Sequence, residues 1–163
     1  RILKQYPNAQ VQFAGPYQNI MGEEKYFERL SPTIQDYQAR GNWKFLGSLN
    51  PEQMSAYYPN LDLLVLPSLN STEAFGLVQI EAMIHGVPSV ASNLPGVRQP
   101  VKLHEMGKII PIGDSAALAE AACDILSRPQ DFRRDPQPIA ACYNPDTIAQ
   151  EYEKLFADIS RLP

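Results

Sequence analysis

Two glutamates and a glycine turn are the residues whose types and spacing could do chemistry in this chain. Glu73 and Glu81 are separated by seven residues, with Phe75-Gly76-Leu77 lying between them. An apolar run, Leu63-Leu64-Val65-Leu66-Pro67, ends just before them. The order is therefore strand, loop, helix, with Phe75-Gly76-Leu77 as the first helical turn. Helix N-terminal amides point outward and the dipole favours negative charge, so such a place can hold an anionic ligand. The first carboxylate stands at the mouth and the second about two turns along. Eight residues of regular helix cover roughly 12 Å, about the length scale of a diphosphate flanked by two sugars. On the residues alone, Glu73 equally suits a helix start that offsets the dipole, and Glu81 a solvated helix position.

Strands alternating with helices position this stretch. Arg1 to Tyr6 reads as the last turns of a helix. Val11 to Gly15 and Trp43 to Gly47 read as strands, each stopped by a glycine. Between them, Glu23 to Gln38 has helical spacing, and Ser31-Pro32 should kink or split it. Asn50-Pro51-Glu52-Gln53 combines an N-cap, a proline at the first helical position and an acidic first turn. Leu61 to Pro67 is nearly continuous apolar, as expected of a strand covered on both faces.

The helix with the two glutamates should run from Phe75 to His85, with Gly86 as its C-terminal cap and Pro88 beyond. Ser89 to Ser92 and Gly107 to Pro111 are further strands, with a short helical piece over Val97 to Val101 between them. Asp114 caps a helix over Ser115 to Ser127. Prolines at 129, 136, 138 and 145 then punctuate a polar connection, and a last helix runs from about Pro145 to Arg161. This alternation predicts an α/β fold: a Rossmann-like, mostly parallel sheet flanked by helices. Ligands of such sheets bind at the carboxyl ends of the strands. Gly47 and Pro67, and the loops after them, lie at such ends. The composition break divides the chain into a Rossmann-like domain over 1–128 and a proline-rich connection with a terminal helix over 129–163.

The bulk properties narrow the classes. The chain has 163 residues, 44% of them hydrophobic and 20% charged, an ordinary globular balance. A formal net charge of -4 and the lack of a Lys/Arg block argue against nucleic-acid binding. No apolar run reaches the roughly 20 residues that span a bilayer. Cys123 and Cys142 stand apart, with no Cys-x-x-Cys and no histidine cluster. They read as reduced, buried thiols of a cytoplasmic protein. His85 reads as a partner for the helix C-terminal dipole, and Trp43 and the Tyr57-Tyr58 pair as packing residues.

The stretch Glu73-Ala74-Phe75-Gly76-Leu77-Val78-Gln79-Ile80-Glu81-Ala82-Met83, followed by Gly86-Val87-Pro88 and Pro95-Gly96-Val97, resembles the E-x7-E region of retaining glycosyltransferases of the GT-B fold, the group 1 or GT4 family. The resemblance extends over roughly Tyr6 to Ser127. E-x7-E alone is a weak pattern; the Phe-Gly, Glu-Ala-Met and Gly-x-Pro elements make it specific. It implies that the chain is the donor-binding, C-terminal half of a GT-B enzyme of carbohydrate metabolism, which moves a sugar from a nucleotide-sugar to an acceptor with retention of configuration. It implies that Glu81 accepts hydrogen bonds from the ribose and that Glu73, the catalytic candidate, holds donor-sugar hydroxyls. It implies that the amides of Phe75, Gly76 and Leu77 meet the diphosphate or sugar, and that the loop after Gly47 lies near the base. No metal or other cofactor is expected, since the nucleotide-sugar is a substrate and no Asp-x-Asp pair is present.

The departures from the family concern its other parts. The family's donor domain opens with a strand and a loop carrying an Arg and a Lys that clamp the diphosphate, and neither is found in this sequence. His85 and His104 do not match the catalytic-cleft histidine of the family's acceptor domain. The chain opens Arg1-Ile2-Leu3 without methionine, so a longer protein is expected, with an N-terminal domain that binds a sugar or lipid-linked acceptor. Peripheral association of that full-length protein with the cytoplasmic face of a membrane fits this expectation. Two other functions share the pattern: a nucleotide-sugar 2-epimerase of GT-B fold, and a non-catalytic nucleotide-binding module.

Overall fold

The computed structural model describes residues 1–18 and 20–161. The chain divides into two compact units, Arg1–Tyr57 and the part from Tyr58 onward. This division does not follow the composition break at 128/129. Five strands form, β1 (Val11–Ala14), β2 (Trp43–Gly47), β3 (Leu64–Leu66), β4 (Ser89–Ser92) and β5 (Gly107–Ile110). Every pairing is parallel. Hydrogen bonds group the strands as β1–β2 and as β3–β4–β5, where the alternation suggested one sheet. Local pattern marks each strand, but pairing is non-local and leaves no mark in any single window of sequence.

In the first unit, α1 (Glu24–Ala39) packs on β2. It runs unsplit through Pro32, against the expectation of a break. One proline removes a single backbone donor, and the turns on both sides carry the helix across. Aromatic packing forms the unit's centre: Tyr17 stacks on Phe45 at 3.8 Å, with Phe13 and Trp43 edge-on to the same ring at 5.7 Å each. Helix α2 (Pro51–Tyr57) starts at a reciprocal capping box. Gln53 N–H donates to Asn50 Oδ1 at 2.8 Å, and Asn50 N–H donates to Gln53 Oε1 at 2.9 Å.

In the second unit, β4 is buried along its whole length between β3 and β5. Its alternating side chains feed two cores. Ala91 joins Ile80, Met83, Val97 and Met106 on one side. Val90 joins Ile110, Ala121 and Ile125 on the other. Helix α3 (Leu77–Met83) and α4 (Gln99–His104) belong to the first core, and α5 (Ser115–Ser127) to the second. Asp114 caps α5 as expected, its Oδ1 accepting from the amides of Ala116 and Ala117 at 2.9 Å.

Several local expectations change in the three-dimensional structure. Only Leu64–Leu66 of the apolar run pairs as β3, and Val65 is 39% exposed, so the strand is not covered on both faces. The proline-rich connection is structured. It holds a 3-10 turn over Pro129–Phe132 and α6 (Pro136–Cys142), and Asp135 caps α6 through the Gln137 amide. Ile139 of α6 is 4% exposed and lies in the first core. Helix α7 (Pro145–Ile159) follows, capped by Asn144. Pro136 sits at a helix start, where its missing N–H costs nothing, so composition alone misread this segment as a linker. Cys142 is exposed and Cys123 half-buried, so neither is the buried thiol expected; neither forms a disulfide.

Gly96 fixes the path of the loop that carries Glu73. A Cβ built there would lie 1.6 Å from the Ala74 carbonyl oxygen, which is backbone and cannot swing aside. Gly96→Ala should therefore cost at least about 1–3 kcal/mol of stability, read as a lowered denaturant midpoint with an unchanged m-value; an unchanged midpoint would show that the loop is not pinned there.

Asp124 ties α5 to β5. Its carboxylate pairs with Lys108 of β5 and takes two hydrogen bonds from Arg128, at 2.8 and 2.9 Å. The Arg128 and then the Lys108 hydrogen bonds hold the carboxyl well below its usual range. A depressed folded-state pKa gives stability that is present above the unfolded value of about 3.9 and lost as pH falls below it. Urea titrations of wild type and Asp124→Asn should differ near neutral pH and converge in acid. A difference that keeps its neutral-pH size down to about pH 2 would show that the ionised carboxylate is not its source.

Candidate functional site

The rotation of α3 is set from inside. Gln79 is fully buried. Its Nε2 donates to the Val97 carbonyl at 2.8 Å, and its Oε1 accepts from Ser89 Oγ at 3.1 Å. Ile80, Ala82 and Met83 share the buried side of the helix. At 100° per residue, Glu81 then falls on the opposite side, and it is exposed. Leu77 and Ile84, four residues before and three after, lie on the Glu81 side. With Tyr143, Pro145 and Ile148 they border a groove of about 450 Å³ that Glu81 also lines. Tyr143 additionally meets His104 Nε2 at 3.1 Å. Burial pushes the Tyr143 phenol up and the His104 imidazole down from their ordinary values.

Glu73 is folded back on its own loop. Its Oε1 accepts from the Gly76 amide at 2.9 Å and from the Phe75 amide at 3.4 Å. Upstream, Asn70 Oδ1 accepts from both the amide and the hydroxyl of Thr72, at 3.1 and 2.5 Å. The expected first turn, Phe75-Gly76-Leu77, is not helical. Gly76 is the N-cap, in the left-handed region at φ 80° and ψ 58°, and α3 begins at Leu77. A Cβ on Gly76 would lie 2.5 Å from Leu66 Cδ2 and 2.7 Å from Gln79 Nε2. Both the conformation and the space therefore demand glycine. The helix also ends earlier than expected, at Met83, with Ile84 as cap. Gly86 follows with φ 77° in the turn that leads to β4.

Glu81 accepts a 2.5 Å hydrogen bond at Oε2 from the hydroxyl of Tyr58. The length is that of a charge-assisted O–H···O⁻ bond. Tyr58 is 3% exposed and opens a 3-10 turn, Tyr58–Asn60, packed on α3. His85 stands beneath it, rings 5.5 Å apart and 25° from parallel, with Nδ1 2.8 Å from the Glu81 carbonyl oxygen. His85 thus meets the helix C-terminal carbonyls, as its position suggested.

Five of the expected site residues, Glu73, Phe75, Gly76, Leu77 and Glu81, form one continuous loop and helix after β3. Gly47 ends β2 in the Arg1–Tyr57 unit, with φ 71° and its carbonyl accepting from the Gly15 amide at 2.8 Å. Glu73 is not among the residues bordering the groove that Glu81 lines. Sequence reasoning missed Gln79 and took Tyr58 for packing alone. A glutamine among Leu, Val, Ile and Met at a buried spacing was the signal for the first; nothing local signalled the second. Among the described residues no group of three or more His, Cys, Asp or Glu side chains gathers that could hold a metal ion.

The model of the family described as "Glycosyl transferases group 1" matches residues 1–141. A phosphatidyl-myo-inositol mannosyltransferase of Mycobacterium leprae is 39% identical over 83 residues, 51% of this chain and 22% of that protein. A D-inositol 3-phosphate glycosyltransferase of Corynebacterium urealyticum is 28% identical over 171 aligned residues, 99% of this chain and 38% of that protein. The chain thus spans well under half the length of these curated relatives. Among solved structures, Anabaena HepE in complex with UDP-glucose superposes with a TM-score of 0.78 at 23% identity, covering 93% of this chain and 42% of that one. The parallel α/β architecture is that of the C-terminal domain of GT-B glycosyltransferases. With its family match running through both glutamates and the Gly76 turn, this chain belongs to the group 1 glycosyltransferase family.

Proposed function

We propose that the chain is the donor-binding, C-terminal domain of a GT4-type retaining glycosyltransferase whose donor is a nucleotide-sugar. One observation carries the reading. The loop after β3 and the exposed side of α3 hold Glu73 and Glu81 in place through the Gly76 amide and the Tyr58 hydroxyl, inside the family-matching span. The UDP-glucose bound in the Anabaena structure supports the donor class.

In this reading Glu81 accepts from the ribose hydroxyls, because an ionised carboxylate is a strong acceptor with about four lone-pair sites. Glu73 uses Oε1 to hold the turn and Oε2 to accept from hydroxyls of the donor sugar. The Phe75 and Gly76 amides already serve Glu73, so the Leu77 amide is left to meet the diphosphate or sugar. Transfer follows a front-face displacement. The bond from the sugar's anomeric carbon to the diphosphate breaks, and the acceptor oxygen bonds the same face of an oxocarbenium-like centre. The acceptor proton leaves with the diphosphate, and donors around the phosphates stabilise the departing charge. The acceptor site belongs to a further domain, and no metal is required.

Calorimetric titration of the full-length protein with UDP-, GDP- and ADP-sugars tests the assignment. One donor should bind, and Glu81→Ala should weaken it by about tenfold or more. Equal binding by the variant removes Glu81 from the ribose role. The 163-residue chain alone should bind donor weakly and show no turnover, since it supplies one side of the site; measurable transfer by the purified chain would refute that.

A further inference from the structure

We propose that Tyr58 is a positioning residue of the donor site: its hydroxyl sets the Glu81 carboxylate in the orientation that reads the ribose hydroxyls. The proposal rests on the ribose role of Glu81 given above and extends it to a residue that touches no ligand.

The geometry carries the assignment. An exposed glutamate has three rotatable side-chain bonds, and ordering them on binding costs free energy. Glu81 is exposed, yet its Oε2 is held at 2.5 Å by Tyr58. Tyr58 cannot itself wander. It is 3% exposed, it begins a 3-10 turn, and its ring lies 5.5 Å from that of His85. His85 is in turn latched to α3 through the carbonyl of Glu81 itself, at 2.8 Å. The carboxylate is therefore held at its tip by Tyr58, while the backbone of the same residue is gripped one helical turn on.

The chemistry of the bond matters as much as its length. The phenol donates, so Glu81 remains an acceptor, and Oε1 with the remaining lone pairs can take a vicinal diol. A lysine or arginine in the same place would neutralise the carboxylate; a phenol orients it and leaves its charge. Removing the hydroxyl while keeping the ring separates positioning from packing, because the ring contacts stay.

The test is selectivity, which a purely structural role would not move. In the full-length protein, calorimetry compares UDP, ADP and GDP each with its 2′,3′-dideoxy counterpart. The dideoxy forms keep base and diphosphate and lack only the hydroxyls that Glu81 reads. Wild type should prefer one ribonucleotide over its dideoxy form. Tyr58→Phe keeps the buried ring and should lower that preference by at least about fivefold, with the dideoxy affinity nearly unchanged. Glu81→Ala should abolish the preference, and adding Tyr58→Phe to it should change nothing further, because Tyr58 acts only through Glu81. A wild type that prefers ribose while Tyr58→Phe prefers it equally overturns the positioning role alone. A wild type that binds none of the pairs, or shows no ribose preference, defeats the donor-site reading and this proposal with it. A Tyr58→Phe loss shared equally by ribo and dideoxy ligands marks a structural role and also overturns it.

Discussion

The buried amide of Gln79 is the constraint on which the site depends. It bridges the Val97 carbonyl and the Ser89 hydroxyl, so one side chain joins α3 to β4 and to the turn before α4. Turning α3 by even one residue would bury Glu81 and strand the amide, and an unpaired buried polar group costs about 1–3 kcal/mol. Apolar packing alone would tolerate small rotations, since Ile80 and Met83 could repack. A buried hydrogen-bonding side chain has direction, and it admits one rotation. The exposure of Glu81 follows from that choice.

The loop before α3 is shaped by short-range polar bonds and by two close approaches. Glu73 and Asn70 each bond amides two or three residues ahead, which holds the backbone without help from a regular element. Gly76 gives way to Leu66 and Gln79, and Gly96 to the Ala74 carbonyl. The result is a loop whose carboxylate is held by its own backbone amides. Such preorganisation is what a binding site requires if contact energy is not to be consumed by ordering the protein. Tyr58 does for Glu81 what the Gly76 amide does for Glu73, from a residue outside the motif.

Much of this was legible in the residues. Trp43–Gly47 and Ser89–Ser92 matched their strands to the residue, and Ser115–Ser127 its helix. Each is bounded by a local signal, a glycine, a proline or a capping aspartate, and local signals act through the nearest backbone groups. The unsplit α1 and the short β3 were less legible. Pro32 marks a missing donor without saying how the flanking turns respond. Leu61 and Leu63 are apolar without pairing in the sheet, because pairing needs a neighbour at the right register. The segment from 129 to 142 was misread because its prolines serve helix starts, while the burial of Ile139 depends on a core assembled from residues some 35 to 60 positions earlier.

By itself, then, the sequence determined the alternating α/β plan, the Asn50 and Asp114 caps, and the placing of Glu73, Gly76 and Glu81 around one loop and helix. Those features rest on backbone conformation and on groups within four residues of each other. Only the tertiary structure decided that Gly76 is a left-handed cap outside the helix, that Glu73 turns back on its own loop, and that Gln79 sets the rotation of α3. Only it paired Glu81 with Tyr58, 23 residues away. A hydrogen bond across that distance depends on where β3 and α3 carry the chain in between, and no periodicity or composition records it.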